Sequence, residues 1–267
     1  MTRTDHAARP LNIGIAGALG RMGQAIAAAL EGRPGAALTA AFDRAGTEGQ
    51  PFGALKLGVP ADAAACDVVI DFTVPEASVA LAEAAAARGG PALVIGATGW
   101  DDAGNAQVAA AAAKIPIVKT GNYSLGVNVL AGLVELAAQR LPAADWDIEV
   151  SEAHHRRKID APSGTALMLG AAAAKGRGET LEKLQVRVRD GITGPRPEGA
   201  IGFSVVRGGG LFGEHQVMFA AESEVLTLSH TALDRSLFAR GALAAALWVP
   251  GKPPGLYDMQ DVLGFKS

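Results

Sequence analysis

The stretch Leu11–Gly23, LNIGIAGALGRMG, joins a short apolar run to a glycine turn, and Gln24–Leu30 continues it with helical composition. Leu11–Ala16 has the length and character of a buried strand. Gly17, Gly20 and Gly23 follow in G-x-x-G-x-x-G spacing, with Leu19 where the commoner G-x-G-x-x-G fingerprint has its second glycine. Glycine allows a tight turn there, and it lets backbone N–H groups at a helix start come close to a phosphate. Arg21 adds a positive charge within reach. The next strand candidate, Ala37–Phe42, ends in Asp43-Arg44, an acidic residue about 20 positions past the last glycine. Strand, glycine turn, helix, strand and acid together point to a dinucleotide-binding unit. Asp43 suits a ribose diol, as in NAD; Arg44 suits adenine stacking or the 2′-phosphate of NADP. The residues leave both open.

Working outward, the alternation repeats. Asp67–Thr73 and Pro91–Gly96 are continuous apolar runs, as expected of strands covered on both faces, and Ile115–Val118 is a third. Helical runs separate them: Glu76–Arg88 behind Pro75, then Asp101–Ala113. Ala45–Pro60 is rich in glycine and turn residues and reads as a loop. The pattern predicts α/β architecture, a doubly wound parallel sheet whose ligand loops follow Ala16, Phe42, Ile95 and Val118. Beyond Leu125–Arg140, a long amphipathic helix, the character changes. Asp147–Ser151, Gln185–Arg189, Gly202–Arg207, Glu214–Ala220 and Val225–Ser229 read as strands, with Asp190–Gly199 as a loop. Better alternation in the later ones suits an antiparallel or mixed sheet packed on one face, hence a second, α+β region. Asp234–Trp248 is a final helix, and Leu256–Leu263 a short closing element.

The chain has 267 residues and a net charge of −3, which argues against general nucleic-acid binding. Its one cysteine, Cys66, beside Val68-Val69-Ile70, reads as an inert, partly buried thiol in a reducing compartment. Met1–Pro10 is polar, lacks the apolar core of a signal peptide and reads as an unstructured tail. No run is long and apolar enough for a bilayer. These features predict a cytoplasmic protein with no membrane partner.

Glu152–Thr165, EAHHRRKIDAPSGT, contains five consecutive residues that can be cationic, His154–Lys158, and then a helix-start signal, Pro162-Ser163-Gly164-Thr165. A hydride acceptor that gains negative charge needs a nearby general acid, and His154, His155 and Lys158 are candidates. Ser163, Gly164 and Thr165 suit a carboxylate, through hydroxyl and backbone N–H donors. The same run would also serve as a solvated basic patch. Two adjacent histidines without a Cys or carboxylate cluster at ligand spacing argue against a metal.

The run Glu152–Ala166 resembles the signature of the 4-hydroxy-tetrahydrodipicolinate (dihydrodipicolinate) reductase family. Gly17–Gly23 (GALGRMG), Asp71–Thr73 (DFT), Gly96–Gly99 (GATG), Asn122–Asn128 (NYSLGVN), Gly213–His215 (GEH) and Ala246–Trp248 (ALW) extend that resemblance along nearly the whole chain. It implies reduction of 4-hydroxy-tetrahydrodipicolinate to tetrahydrodipicolinate with NADH or NADPH, in diaminopimelate and lysine biosynthesis. A related NAD(P)-dependent dehydrogenase acting on another small carboxylate is the alternative. The resemblance further implies a Rossmann-type domain over residues 1–125, completed by 236–267, and a substrate-binding and oligomerisation domain over 126–235 that builds a homotetramer. It assigns His154 and Lys158 to proton handling, and His155, Gly164 and Thr165 to the small dicarboxylate substrate. Cofactor contacts fall to Gly17, Ala18, Leu19, Gly20, Arg21 and Met22, to Asp43 and Arg44, to Gly96, Ala97 and Thr98, and to Thr120, Gly121, Asn122 and Tyr123. Asp43 stands where many members have Glu, Thr120-Gly121 and Tyr123 depart from the commoner wording around Asn122, and Lys119 is an extra cation.

Overall fold

The computed structural model describes residues 9–266 and divides into two compact units, Gly126–Arg235 forming one and the remainder of the chain the other. The tail read at Met1–Pro10 lies, up to residue 8, outside the described residues.

In the first unit, β1 (Leu11–Ala16), α1 (Arg21–Leu30) and β2 (Ala36–Phe42) form a βαβ unit. A two-stranded ribbon, β3 (Pro51–Phe52) and β4 (Leu55–Lys56), lies within the segment read as loop, hidden by the local glycine content, and a 3₁₀ turn over Pro60–Ala65 follows it. Then come β5 (Val68–Asp71), α2 (Pro75–Arg88), β6 (Ala92–Ile95), α3 (Asp102–Ala112) and β7 (Pro116–Lys119). The six-stranded sheet is parallel throughout, in the order β13-β7-β6-β5-β1-β2, its last strand supplied from the far end of the chain. The winding direction reverses between β1 and β5, and in such sheets the ligand crevice lies beyond the strand ends at that reversal. Both faces are buried: Ile13, Ile15, Ile70 and Val94 on one, Val69, Leu93, Ile95 and Ile117 on the other. That double burial is why these strands are nearly continuous apolar runs.

The second unit begins with α4, whose helix spans Leu125–Arg140, and β8 (Asp147–His154). Next are α5 (Gly164–Gly176), α6 (Leu181–Leu184), β9 (Gln185–Val186), β10 (Ile201–Arg207), β11 (Glu214–Ala220) and β12 (Val225–Thr231). Its sheet is mixed, in the order β12-β11-β8-β10-β9: β10 runs parallel to β8, and β11 antiparallel to both β8 and β12. Ile148, Val150, Val217, Phe219, Ile201 and Phe203 pack against Leu130, Val134, Leu169 and Ala173 of α4 and α5. The chain then rejoins the first unit with α7 (Ser236–Trp248), β13 (Gly255–Tyr257) and α8 (Met259–Val262).

Two strand ends differ most from the sequence reading. β9 stops at Val186, and Val188 is exposed, because β10 pairs with β9 only through Ile201 and Gly202. β8 runs on to His154, three residues further than its apolar content suggests.

Candidate active site

The first unit supplies a glycine turn beside a cleft. Gly17 turns the chain with φ +77°, and its N–H and that of Ala18 both donate to the Phe42 carbonyl, at 3.0 and 3.2 Å. A Cβ on Gly23 would lie 2.3 Å from the Gly17 carbonyl oxygen, so only glycine lets α1 press onto the turn. Gly20 caps α1 without a side chain, so no side chain covers the helix start, the kind of site that suits an anion. Asp43 sits at the end of β2 and holds the turn: its Oδ2 accepts from Leu19 N at 2.8 Å and its Oδ1 from Arg44 N at 2.8 Å. The Leu19 N–H is therefore occupied by protein, a role for Asp43 that the ribose reading did not include. A cleft of about 780 Å³ opens here, lined by Gly17, Leu19, Gly20, Asp43 and Arg44 and extending along α2. Ala18 is fully buried, and its N–H is taken by the Phe42 carbonyl.

Gly96, Ala97 and Thr98 follow β6, and Thr120–Tyr123 follows β7, at the same carboxyl ends of the sheet; none of them lines the 780 Å³ cleft. The Tyr123 side chain points into the core, with its hydroxyl shared between the carbonyls of Ile95 at 2.8 Å and Val118 at 3.1 Å. Burial, then the Asp71 charge, pushes that phenol well above its ordinary range. Asn122 organises the adjoining loop, its Oδ1 accepting from Ser124 N at 2.8 Å. Lys119 lies over the Trp100 ring, 4.3 Å from its centre, and donates to Asn105 Oδ1 at 2.6 Å. It thereby braces the loop after β6, where Trp100 donates to the Ala97 carbonyl.

In the second unit the inward face of the sheet is apolar along most of its length and polar at one end. Ile148 and Val150 precede Glu152 and His154 on one face of β8. His215 stands opposite Glu152 on β11, and His230 opposite His215 on β12; Arg207 stands opposite His154 on β10. Glu152, His154 and His215 are all buried. The Glu152 carboxylate accepts from Arg207 Nη1 and Nη2 at 2.7 and 2.8 Å and from Ser163 N at 2.9 Å, and lies 2.5 Å from His154 Nδ1. Burial alone would raise this carboxyl; the bonds from Arg207, His154 and Ser163 outweigh it and hold it below the usual range. The His154 and His215 rings meet edge-on with centres 5.0 Å apart. Burial, and then the charge of His154, lowers His215 to about 4, so it is neutral at physiological pH.

The basic run therefore divides. His154 ends a strand inside this polar cluster. His155 is half-buried, and its N–H donates to the Leu211 carbonyl. Lys158 Nζ pairs with Asp160 at 2.9 Å, which holds the Asp160 carboxyl below its ordinary range, while Arg156 and Arg157 are exposed. Ser163 departs from the sequence reading. Its hydroxyl is buried, capping α5 by accepting from Ala166 N and lying 3.0 Å from His215 Nε2, so it is engaged by protein rather than offered to a carboxylate. Gly164, exposed, and Thr165 stand at the α5 start. Glu152, Arg207 and His215 had no assigned part in the sequence reading, although the alternation Ile148-Val150-Glu152-His154 signals a carboxylate on a buried face. Among the described residues, no group of three or more His, Cys, Asp or Glu side chains is placed to hold a metal ion, and no helix is long and apolar enough to cross a membrane.

This chain is similar to known proteins over nearly its full length. The family model for the dihydrodipicolinate reductase N-terminus matches residues 11–123, and that for its C-terminus matches 126–263. A 4-hydroxy-tetrahydrodipicolinate reductase of Caulobacter vibrioides is 67% identical over 259 residues, covering 97% of this chain and 99% of the relative. One of Rhizobium rhizogenes is 52% identical, covering 95% and 96%. Among solved structures, a dihydrodipicolinate reductase of Paenisporosarcina sp. with dipicolinate bound matches with a TM-score of 0.78 at 25% identity, covering 94% and 99%. A nucleotide-binding turn on a parallel sheet, a basic polar cluster on a mixed sheet and these full-length matches agree, and the chain belongs to the dihydrodipicolinate reductase family.

Proposed function

We propose that this chain reduces 4-hydroxy-tetrahydrodipicolinate to tetrahydrodipicolinate with NADH or NADPH, as a cytoplasmic enzyme of the diaminopimelate route to lysine. The observation that carries this reading is the 67% identity, across 97% of the chain, to a relative of that name. The glycine turn, the uncapped α1 start and Asp43 fit a nicotinamide dinucleotide, which when bound supplies the hydride. The first unit thus serves as the dinucleotide-binding domain, through the Gly17–Met22, Asp43-Arg44, Gly96–Thr98 and Thr120–Tyr123 segments. Tyr123 would contribute its backbone only.

The second unit serves as the substrate domain. Dipicolinate bound to the Paenisporosarcina protein is a planar dicarboxylate, which supports a dianionic substrate here. The α5 start at Gly164 and Thr165 would hold one carboxylate with N–H donors, and His155 would contact the ring. Lys158 would donate a proton from its ammonium group, exchanging Asp160 for the anionic substrate, and His154 would hold or release a proton at Nε2. The edge strand β12 is largely exposed on both faces, Val225 and Leu226 included. Exposed strand edges invite pairing, which supports assembly of the homotetramer through this sheet.

Turnover is followed as loss of the reduced-nicotinamide absorbance with freshly generated substrate. Lys158→Ala and His154→Ala should each lower kcat roughly a hundredfold, with dinucleotide binding retained. Wild-type turnover of a different small carboxylate, with none of this substrate, would overturn the reading.

A further inference from the structure

We infer that Glu152 is a positioning residue that fixes the tautomer of His154 and ties that ring to the start of α5. The inference rests on the proton-handling role proposed for His154. Glu152 is 3% exposed and shares the inward face of β8 with His154. Four donors converge on its two oxygens. Oε1 accepts from Ser163 N at 2.9 Å and Arg207 Nη2 at 2.8 Å; Oε2 accepts from Arg207 Nη1 at 2.7 Å and faces His154 Nδ1 at 2.5 Å. An ionised carboxylate only accepts, so His154 must donate from Nδ1. Nε2 is then the nitrogen that gains and loses a proton, the logic by which a buried carboxylate holds an imidazole in one working tautomer. Nε2 lies against Gly213, where a Cβ would come within 3.0 Å of it, so glycine there keeps that nitrogen from being crowded.

The surroundings set the charge balance. Arg207 from β10 forks onto Glu152 and also donates to the Asp160 carbonyl, which connects the pair to the loop bearing Lys158. His215 from β11 faces the His154 ring and reaches Ser163 Oγ, so Glu152, Ser163, His215 and His154 close a ring of contacts at the α5 start. His230 on β12 and the Lys158–Asp160 pair add further charged and titratable groups beside this cluster. Glu152 thereby holds the proposed proton carrier and the proposed carboxylate clamp in one body.

Glu152→Gln tests this, because an amide of the same shape cannot accept from four donors. If its NH2 takes the Oε2 place, His154 Nδ1 must become the acceptor and the ring moves to the Nε2–H form. If it takes the Oε1 place, it opposes Ser163 N–H and Arg207. Long-range ¹H–¹⁵N spectra of the neutral His154 ring should show Nδ1–H in the wild type and substantial Nε2–H in the variant. With substrate, kcat should fall roughly tenfold or more, while KM for the reduced dinucleotide stays within about twofold. An unchanged tautomer and unchanged kcat in Glu152→Gln would overturn the inference. If that variant does not fold, a wild-type ring resting as Nε2–H would overturn it equally, and a wild-type Nδ1–H ring would support it. A wild type without turnover on the proposed substrate would refute the functional reading alone, since the tautomer is read without substrate.

Discussion

His215 should make the protein acid-sensitive in a defined window. The side chain is buried, its Nε2 lies 3.0 Å from Ser163 Oγ, and its Nδ1 has no hydrogen-bond partner. Protonation would put a charge beside His154 with little water to solvate it, which is why the ring is held near 4 against an ordinary 6.5. A base whose folded-state pKa is depressed binds fewer protons folded than unfolded. Its contribution to stability is therefore fully present above 6.5 and is lost as pH falls toward 4. Linkage with these two values gives about 2 kcal/mol lost between pH 7 and pH 5, and about 3 kcal/mol by pH 4.

Acid destabilisation has other sources, because Asp67, Glu152, Asp160 and Asp258 are all held below their ordinary ranges and lose their native advantage as they protonate. His215→Gln separates them. It keeps a polar group at Ser163 and leaves every carboxylate in place, but it cannot titrate. Urea unfolding at one fixed protein concentration, compared at pH 7 and pH 5, should show the wild type losing about 2 kcal/mol more than the variant. Equal losses in the two proteins, within about 0.5 kcal/mol, would refute the reasoning.

Two further outcomes concern the first unit. Gly23→Ala would bring a methyl group to 2.3 Å from the Gly17 carbonyl and 2.6 Å from that of Ala18. Neither atom can move without opening the turn, so thermal or urea unfolding should show a loss of about 2–3 kcal/mol, and dinucleotide affinity should fall with it. Tyr123→Phe removes the hydroxyl bridging the carbonyl ends of β6 and β7, which should cost about 1–2 kcal/mol and weaken dinucleotide binding measured by fluorescence titration. Unchanged affinity in Tyr123→Phe would show that the loops after β6 and β7 are held without this bridge.

The first unit is readable because its signals are local. Val68–Asp71 and Ala92–Ile95 are buried on every residue, so each announces itself as an apolar run whatever pairs with it, and the glycine turn carries its own reason for being glycine. Short elements held by their surroundings are less visible. The Pro51–Phe52 and Leu55–Lys56 ribbon has too few residues for a period, and Val188 alternates correctly with Val186 yet finds no partner strand.

The second unit's cluster was legible in residue types but not in arrangement. His154 reads as loop because charge surrounds it, yet β8 is a central strand, and pairing on both sides carries it three residues past Ser151, where the sequence reading ends it. Once it is a strand, period two puts Glu152 and His154 on the buried face and leaves His155 to begin the loop; two histidines adjacent in sequence thereby acquire different environments. The partners of Glu152 come from the register of β10 and β11. Arg207 lies 55 residues away, and Ser163 and His215 are separated by 52. A one-residue slip of β10 would turn Arg207 to the opposite face and leave the carboxylate buried without its main counter-charge. The apolar packing of Ile201, Phe203, Val217 and Phe219 that fixes those registers is therefore also what assembles the polar end of the sheet.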